Sequence, residues 1–539
     1  MLFNSYSFIF AFLPITVLGF ALVNLLRSRS ANLGWLVVCS ILFYGIWNPG
    51  NLAIILPSVA VNYALAYAIR ALLARGESGE RMASVLVAVG VTANLCLLGY
   101  FKYKNFFLGS LNDAFGADFT LVSIALPLGI SFITFQKIAF LIDVRAGTVR
   151  EFKLADFLTF VFFFPQLIAG PIVHYREMMP QFAAINDRLR GDNVAVGLAL
   201  FALGLFKKVV LADGIAPHVS DAFAQAAAGN SVSFAYAWLG ALAYTFQIYF
   251  DFSGYSDMAI GAARIFGIKL PANFNSPLKA TSIIEFWSRW HITLTRFLTA
   301  YVYTPVVMTL TRSRMKAGKP VITRKKATVG AFLALVAWPT VLTMFLSGLW
   351  HGAGYTYLVW GLVHGGYLLV NHAWRQWRPK WDKAAYERIM RPLGFVLTFA
   401  CVVVGMVFFR ANTLGAAGHL LHGMAGLDGF TLPQSIMNRS GALAALGIAG
   451  DGSSGAAFMA ASLWAAALFL VATLMPNSLE LLHRYDPALY FEHKSGAPRS
   501  RTLNWTVSWS PRWACMLAGL FVAGALGLNR VSEFLYWQF

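Results

Sequence analysis

Residues 331–370 read AFLALVAWPTVLTMFLSGLWHGAGYTYLVWGLVHGGYLLV, forty consecutive positions without a Lys, Arg, Asp or Glu. A helix crossing a bilayer needs about 20 mostly apolar residues, so this stretch predicts two spans, Ala331–Trp350 and Gly352–Val370. Basic clusters bracket it: Arg312, Arg314, Lys316, Lys319, Arg324, Lys325 and Lys326 before, and Arg375, Arg378, Lys380 and Lys383 after. Excess Lys and Arg marks cytoplasmic loops, so both clusters are expected inside and the hairpin apex, Ser347–Gly354, toward the outside.

The same pattern recurs along the chain. Apolar runs begin at Ser7–Leu26, Leu33–Trp47, Leu52–Ile69, Met82–Phe101 and Val122–Ile142, and continue to Ala514–Leu528. About 11–13 membrane segments are expected in all, counted at ~20 residues each. The predicted fold is all-α, a polytopic transmembrane helical bundle with re-entrant or broken helices. The whole of 1–539 reads as one integral-membrane domain, with an extramembrane loop near 426–454. Of the 539 residues, 58% are hydrophobic and 12% charged, about half the charge of an average soluble domain. The net charge of +19 would suggest nucleic acid in a soluble protein, but much of it lies in short stretches beside apolar runs. There it fits cytoplasmic loops and anionic lipid headgroups. Strict alternation of sides fails once: Lys102 and Lys104 land on the outer side.

Ionisable groups at membrane depth are costly and therefore informative. His351 lies 25 residues from Lys326 and 24 from Arg375. A straight helix of that length rises about 37 Å, which tilt or a break at Pro339 would shorten to the outer half of the membrane. Glycines 348, 352 and 354 suggest an unwound, closely packed apex. On the residues alone, His351 reads equally as an acid–base group near neutral pH or as a packed histidine bonded to a neighbouring helix. His291, in Glu285-Phe286-Trp287-Ser288-Arg289-Trp290-His291, is open in the same way. Trp287 and His291 share a helical face, as do Glu285 and Arg289, while the tryptophans and Arg289 also suit an interfacial helix. The run from Gln247 to Asp257 places Asp251, Ser253, Tyr255, Ser256 and Asp257 in apolar sequence, where a satisfied polar network that specifies helix packing is the favoured reading. His364 reads as a packing residue.

The four cysteines are scattered and form no CxxC or zinc spacing, so no disulfide framework, metal or bound cofactor is implied. No HExxH, P-loop, dinucleotide fingerprint or GxSxG elbow is present. Glycine-broken helices with buried polar groups suit a non-enzymatic transporter or channel as well as an enzyme.

Several motifs, taken in order, resemble the membrane-bound O-acyltransferase family, most closely its bacterial alginate O-acetylase-like branch. They are MLFNSYSFIFAFLP (1–14), FFPQLIAGPIVHY (163–175), YFDFSGYSDMAIG (249–261), PANFNSP (271–277), FWSRWHITL (286–294), SGLWHGAGYTYLVWGLVHG (347–365) and SEFLYWQF (532–539). The resemblance implies that His351 is catalytic and that His291 is its partner histidine. Trp350, Tyr255, Asp257, Asn273 and Arg289, within the same motifs, become candidates for substrate contact. It further implies that the helices surround a central funnel open to the outside, and that an acyl thioester donor, acetyl-CoA in the first place, enters from the cytoplasm. The acceptor would be an exopolysaccharide reached through a periplasmic or membrane-anchored acetyltransferase partner in a secretion complex, all in the bacterial inner membrane; in the competing non-enzymatic reading, the chain is a transporter or channel for a polysaccharide precursor. One departure stands out: where this branch continues with Arg-Asp-Tyr and then Tyr-Ile-Pro-Leu-Gly-Gly, the chain reads Arg296-Phe297-Leu298-Thr299-Ala300-Tyr301-Val302-Tyr303-Thr304-Pro305-Val306-Val307.

Overall fold

The computed structural model describes all residues except 47, 123, 188, 323–326, 380, 440, 492–504, 530–534 and 536–539. Part of the first basic cluster (Arg324, Lys325, Lys326), Lys380 and most of the SEFLYWQF ending lie outside the described residues. What is described is a polytopic helical bundle. In lipid every backbone N–H and C=O needs a partner within the protein, and uninterrupted apolar sequence meets that need most simply as helix. Among the described residues, seven helices are long and apolar enough to cross a membrane, with a shorter apolar one at Phe8–Asn24. Leu18, Leu22, Leu470 and Leu526 are exposed on such helices, as side chains facing hydrocarbon should be.

The elements that position the site are α1 (Glu77–Leu98), α2 (Ile130–Arg145), α3 (Gly191–Phe206), α4 (Phe234–Ile265), α5 (Ile283–Trp287), α6 (Ile292–Leu298), α7 (Trp338–His351), α8 (Tyr355–Trp377) and α9 (Lys383–Arg410). The core is built on α4, buried without a break from Ala243 to Ile265. Small residues let α3 lie directly against it: a Cβ at Gly261 would sit 2.6 Å from the Gly197 carbonyl oxygen. Just past α3 the chain makes a π-helical turn, Lys207–Ala212. There Lys207 reaches Asp257 at 2.8 Å, and Lys208 reaches Asp251 at 2.5 Å and Asp213 at 2.8 Å. The carboxylates that looked out of place in an apolar run are thus matched by two lysines from the neighbouring element. A buried charge is tolerated on such terms, and removing one partner is what costs.

The 331–370 hairpin forms. A π-helical turn, Leu333–Ala337, precedes α7, whose second residue is Pro339. Proline lacks the donor an α-helix needs and crowds the preceding turn, and the extra residue of a π turn absorbs the mismatch. The chain then leaves helix at Gly352, in extended conformation, and reverses into α8. Contact between the two legs is close enough that a Cβ on Gly348 would lie 2.2 Å from the Tyr357 carbonyl oxygen. Two other stretches differ from a simple span. Residues 116–122 and 124–129 are mostly irregular, so the Val122–Ile142 run is helical only from Ile130, and the apolar stretch 157–173 is divided between helices Leu154–Phe162 and Phe164–Leu167. Pro165, Gly170 and Pro171 account for the second break. The 426–454 stretch holds two short parallel strands, Thr431–Pro433 and Ala449–Asp451, tied to the start of α4 by Phe234 N–H donating to the Gly429 carbonyl at 3.1 Å.

Candidate active site

His351 is the last residue of α7 and is buried. Its imidazole is boxed by aromatic rings: centroids of Trp350, Trp360 and Phe409 lie 4.9, 5.1 and 5.2 Å away. The fourth neighbour is the fully buried His291, at 6.2 Å. The structure therefore brings together two histidines separated by 60 positions in sequence.

His291 arrives there through a break in the helix. The sequence spacing predicts Trp287 and His291 on one helical face; instead α5 ends at Trp287 and α6 begins at Ile292. Between them His291 adopts φ 42°, a left-handed conformation that costs a non-glycine residue energy and occurs preferentially at functional sites. Two backbone bonds hold the break against the 271–277 segment: Ile292 N–H donates to the Asn273 carbonyl, and Asn275 N–H to the Arg289 carbonyl, both at 2.9 Å.

Asn273 locks the ring. Its Oδ1 accepts from the Thr293 hydroxyl at 2.8 Å and from the Thr293 N–H at 3.3 Å, and its Nδ2 donates to the Ser256 hydroxyl at 3.1 Å. A backbone N–H can only donate, so the amide oxygen is the atom that faces His291 Nδ1, 3.1 Å away. Nδ1 must then carry the proton, which leaves Nε2 as the lone-pair nitrogen of the neutral ring.

The other expected contact residues divide. Trp350 packs in the site, stacked on Phe135 at 5.4 Å and 17°. Arg289 pairs with Glu285 at 2.7 Å, as the i, i+4 spacing predicts, and lines a cavity. Tyr255 is fully buried against Phe3, ring centroids 4.8 Å apart, and Asp257 is held by Lys207. Those two belong to helix packing around α4. Lys207 and Lys208, which complete that network, escaped sequence reading because nothing in their spacing points to α4.

The cavity has a volume of about 2150 Å³, and its lining carries seven Lys and Arg against three Glu. It joins Arg375, Arg378, Lys383 and Arg391 of the second basic cluster and its flank to Lys279 and Arg289. Its lining includes Asn275, Ser288 and Arg289, from the loops that hold His291. Neither histidine of the pair is among its lining residues, and a run of ring contacts leads from the lining to His351. Tyr367 lines the cavity, and His364 lies 5.6 Å from it, Trp360 5.0 Å from His364, and His351 5.1 Å from Trp360. Among the described residues neither nitrogen of the buried His364 has a hydrogen-bond partner.

A buried imidazole pair in an aromatic box, set within a membrane-spanning bundle beside a cationic cavity, places this chain among polytopic membrane proteins with a polar centre inside the bundle. Residues 144–319 match the family model of the membrane-bound O-acyltransferases. The chain is 41% identical over 460 residues to a peptidoglycan O-acetyltransferase of Helicobacter pylori, covering 80% of this chain and 81% of that protein. It is 39% identical over 437 residues to a probable alginate O-acetylase of Azotobacter vinelandii, covering 80% and 79%. A teichoic acid D-alanyltransferase of Bacillus subtilis is 28% identical over 291 residues, covering 53% and 69%. The chain belongs to the membrane-bound O-acyltransferase family, and it is a multi-pass membrane acyltransferase.

Proposed function

We propose that this protein takes an acetyl group from a thioester donor on its basic, cytoplasmic side and delivers it to a hydroxyl on the outer side of a bacterial inner membrane, for O-acetylation of an exopolysaccharide such as alginate. The observation that carries this reading is the His291–His351 pair, 6.2 Å between centroids, buried among aromatic rings. A thioester is already activated, so the demanding step is to remove the proton from the accepting hydroxyl. His351 is the general base, a role typically worth about 10²–10⁴-fold. The hydroxyl oxygen bonds to the acyl carbon, the carbon–sulfur bond breaks, and the thiolate leaves to take up a proton. His291, anchored by Asn273, orients the donor carbonyl. A ring-lined site also keeps out water, which would hydrolyse the thioester.

The cationic cavity supports acetyl-CoA as donor, because its phosphates need such a lining. The relatives named as O-acetyltransferases of peptidoglycan and alginate support an acetyl group and a polysaccharide acceptor. By family resemblance, the immediate recipient is a periplasmic or membrane-anchored acetyltransferase that belongs to the secretion complex. The entire chain works as one integral-membrane unit in this reading. For a donor that enters by this cavity, Tyr367, His364 and Trp360 mark the way to His351. The deciding experiment replaces His351 by Ala and measures base-labile acetate on the host polysaccharide. Acetate should fall to background with the protein at normal abundance in the membrane; unchanged acetylation would remove the reading.

A further inference from the structure

The last four carbonyls of any α-helix have no partner inside it, and a helix that ends within a membrane must find donors elsewhere. In α7, which ends on His351, every one of the four is accounted for. The Gly348 carbonyl accepts from the Gly352 N–H at 3.3 Å. The Leu349 carbonyl accepts from the Tyr103 hydroxyl at 2.8 Å. The carbonyls of Trp350 and His351 both accept from the Lys102 ammonium, at 2.5 and 3.2 Å.

Lys102 is the residue whose charge fell on the unexpected side of the membrane in the sequence. Its position follows from the element that carries it. A π-helical turn, Gly99–Tyr103, interrupts the long helical rod that begins with α1. Consecutive side chains diverge by about 100° in a regular helix. Here Lys102 and Tyr103 instead reach the same helix end, and π turns are frequent where function demands a local change of aim. The lengths agree as well. Lys102 lies 25 residues past the start of α1, and His351 ends a rod of 23 residues beginning at Val329. At 1.5 Å per residue the two rods rise about 37 and 34 Å, so they are of similar length. The ammonium also lies 5.9 Å from the Trp350 ring. A cation at the carbonyl end of a helix is favoured by the helix dipole as well as by the hydrogen bonds.

We propose that Lys102, assisted by Tyr103, is a positioning residue for acyl transfer: it closes the end of the helix that carries His351 and so fixes that imidazole against His291. The proposal rests on His351 being the base. Both hydrogen bonds of Lys102 to α7 go to backbone carbonyls, so in this role its side chain acts through the place it gives to another residue. Loss of the cap should loosen the last turn of α7, misaim the imidazole and slow the chemical step while leaving donor binding intact.

The test uses the full-length protein in permeabilised membranes of its own host, which retain the partner acetyltransferase of the secretion complex, with [14C]acetyl-CoA as donor probe, labelled acetate on the host polysaccharide as readout and rates normalised to the amount of this protein. Lys102→Met should lower kcat about tenfold or more, with KM for acetyl-CoA changed by no more than about twofold. Lys102→Arg, which restores a cation with several donors, should recover most of kcat, and Tyr103→Phe should lower it by about two- to fivefold. Equal melting temperatures of wild type and Lys102→Arg keep the comparison free of folding loss. Wild-type kcat in Lys102→Met, or a rise in KM alone, overturns the proposal. His351→Ala is run in parallel. If it is inactive while Lys102→Met is fully active, only the positioning role fails; if His351→Ala stays active, the assignment of the base fails and the positioning role fails with it.

Discussion

Asn273 does more for the site than its size suggests. One side chain meets His291, Thr293 and Ser256, and through them ties the 271–277 segment, the α5–α6 break and α4 together. The removal of one partner from a buried hydrogen-bonded set costs about 1–3 kcal/mol for each group left unsatisfied. Asn273→Leu should therefore lower the melting temperature measurably in detergent and reduce acetyl transfer at least tenfold, because His291 loses both its anchor and the fixed proton on Nδ1. Asn273→Asp tests the proton assignment separately. A carboxylate still accepts from Nδ1, so it should retain more stability and more activity than the leucine variant, and a ranking in the opposite order would show that the tautomer is set by something else. In sequence Asn273 stood out only through a motif. Its partners lie 18 and 20 positions ahead and 17 behind, across a helix break that no periodicity announces.

At the scale of elements, the sequence announced what lipid enforces. Long uncharged runs became helices, and the hairpin predicted from 331–370 is present with its apex at the predicted glycines. Hidden from it were the places where helices stop being regular. The π turns at 99–103, 207–212 and 333–337 change the aim of side chains by one residue, and the break at 288–291 moves a histidine off its expected face. Such features are settled by partners on other elements, as Lys208 is by Asp251 and Asp213, and a linear pattern carries no record of the partner. Close packing of the hairpin can be tested directly. Gly348→Ala would place a Cβ 2.2 Å from the Tyr357 carbonyl oxygen, a backbone atom that cannot step aside. It should destabilise the protein by about 2 kcal/mol or more, as overpacking does, and abolish transfer. Gly366→Ala, on the same hairpin with nothing within 4 Å of the new atom, should be neutral or stabilise α8 by up to about 1 kcal/mol. Thermal unfolding in detergent distinguishes the pair, and equal behaviour would deny the close contact.

The whole molecule sets a strongly cationic cavity against a chain that is otherwise apolar, and the two features have different electrostatic signatures. A charge inside the bundle, such as Lys208, interacts over 2.5–2.8 Å with groups buried beside it, and salt in the surrounding water screens it little. Cavity charges such as Arg375, Arg378 and Arg391 face open solvent, where the screening length is about 8 Å at physiological ionic strength. If these arginines draw in the phosphates of the thioester donor, their contribution must weaken as salt rises. Arg375→Glu combined with Arg378→Glu should raise KM for acetyl-CoA about tenfold or more at low salt, leave kcat within about twofold, and lose most of that difference near 0.5 M salt. The wild-type protein should show the same trend in milder form, with KM rising as salt is added. A donor that carries no phosphate, S-acetyl-N-acetylcysteamine, should be indifferent both to the substitutions and to the salt. A double variant with wild-type KM for acetyl-CoA at low salt would mean that the cavity recognises something other than the anionic donor, and that the thioester reaches the histidine pair by another route.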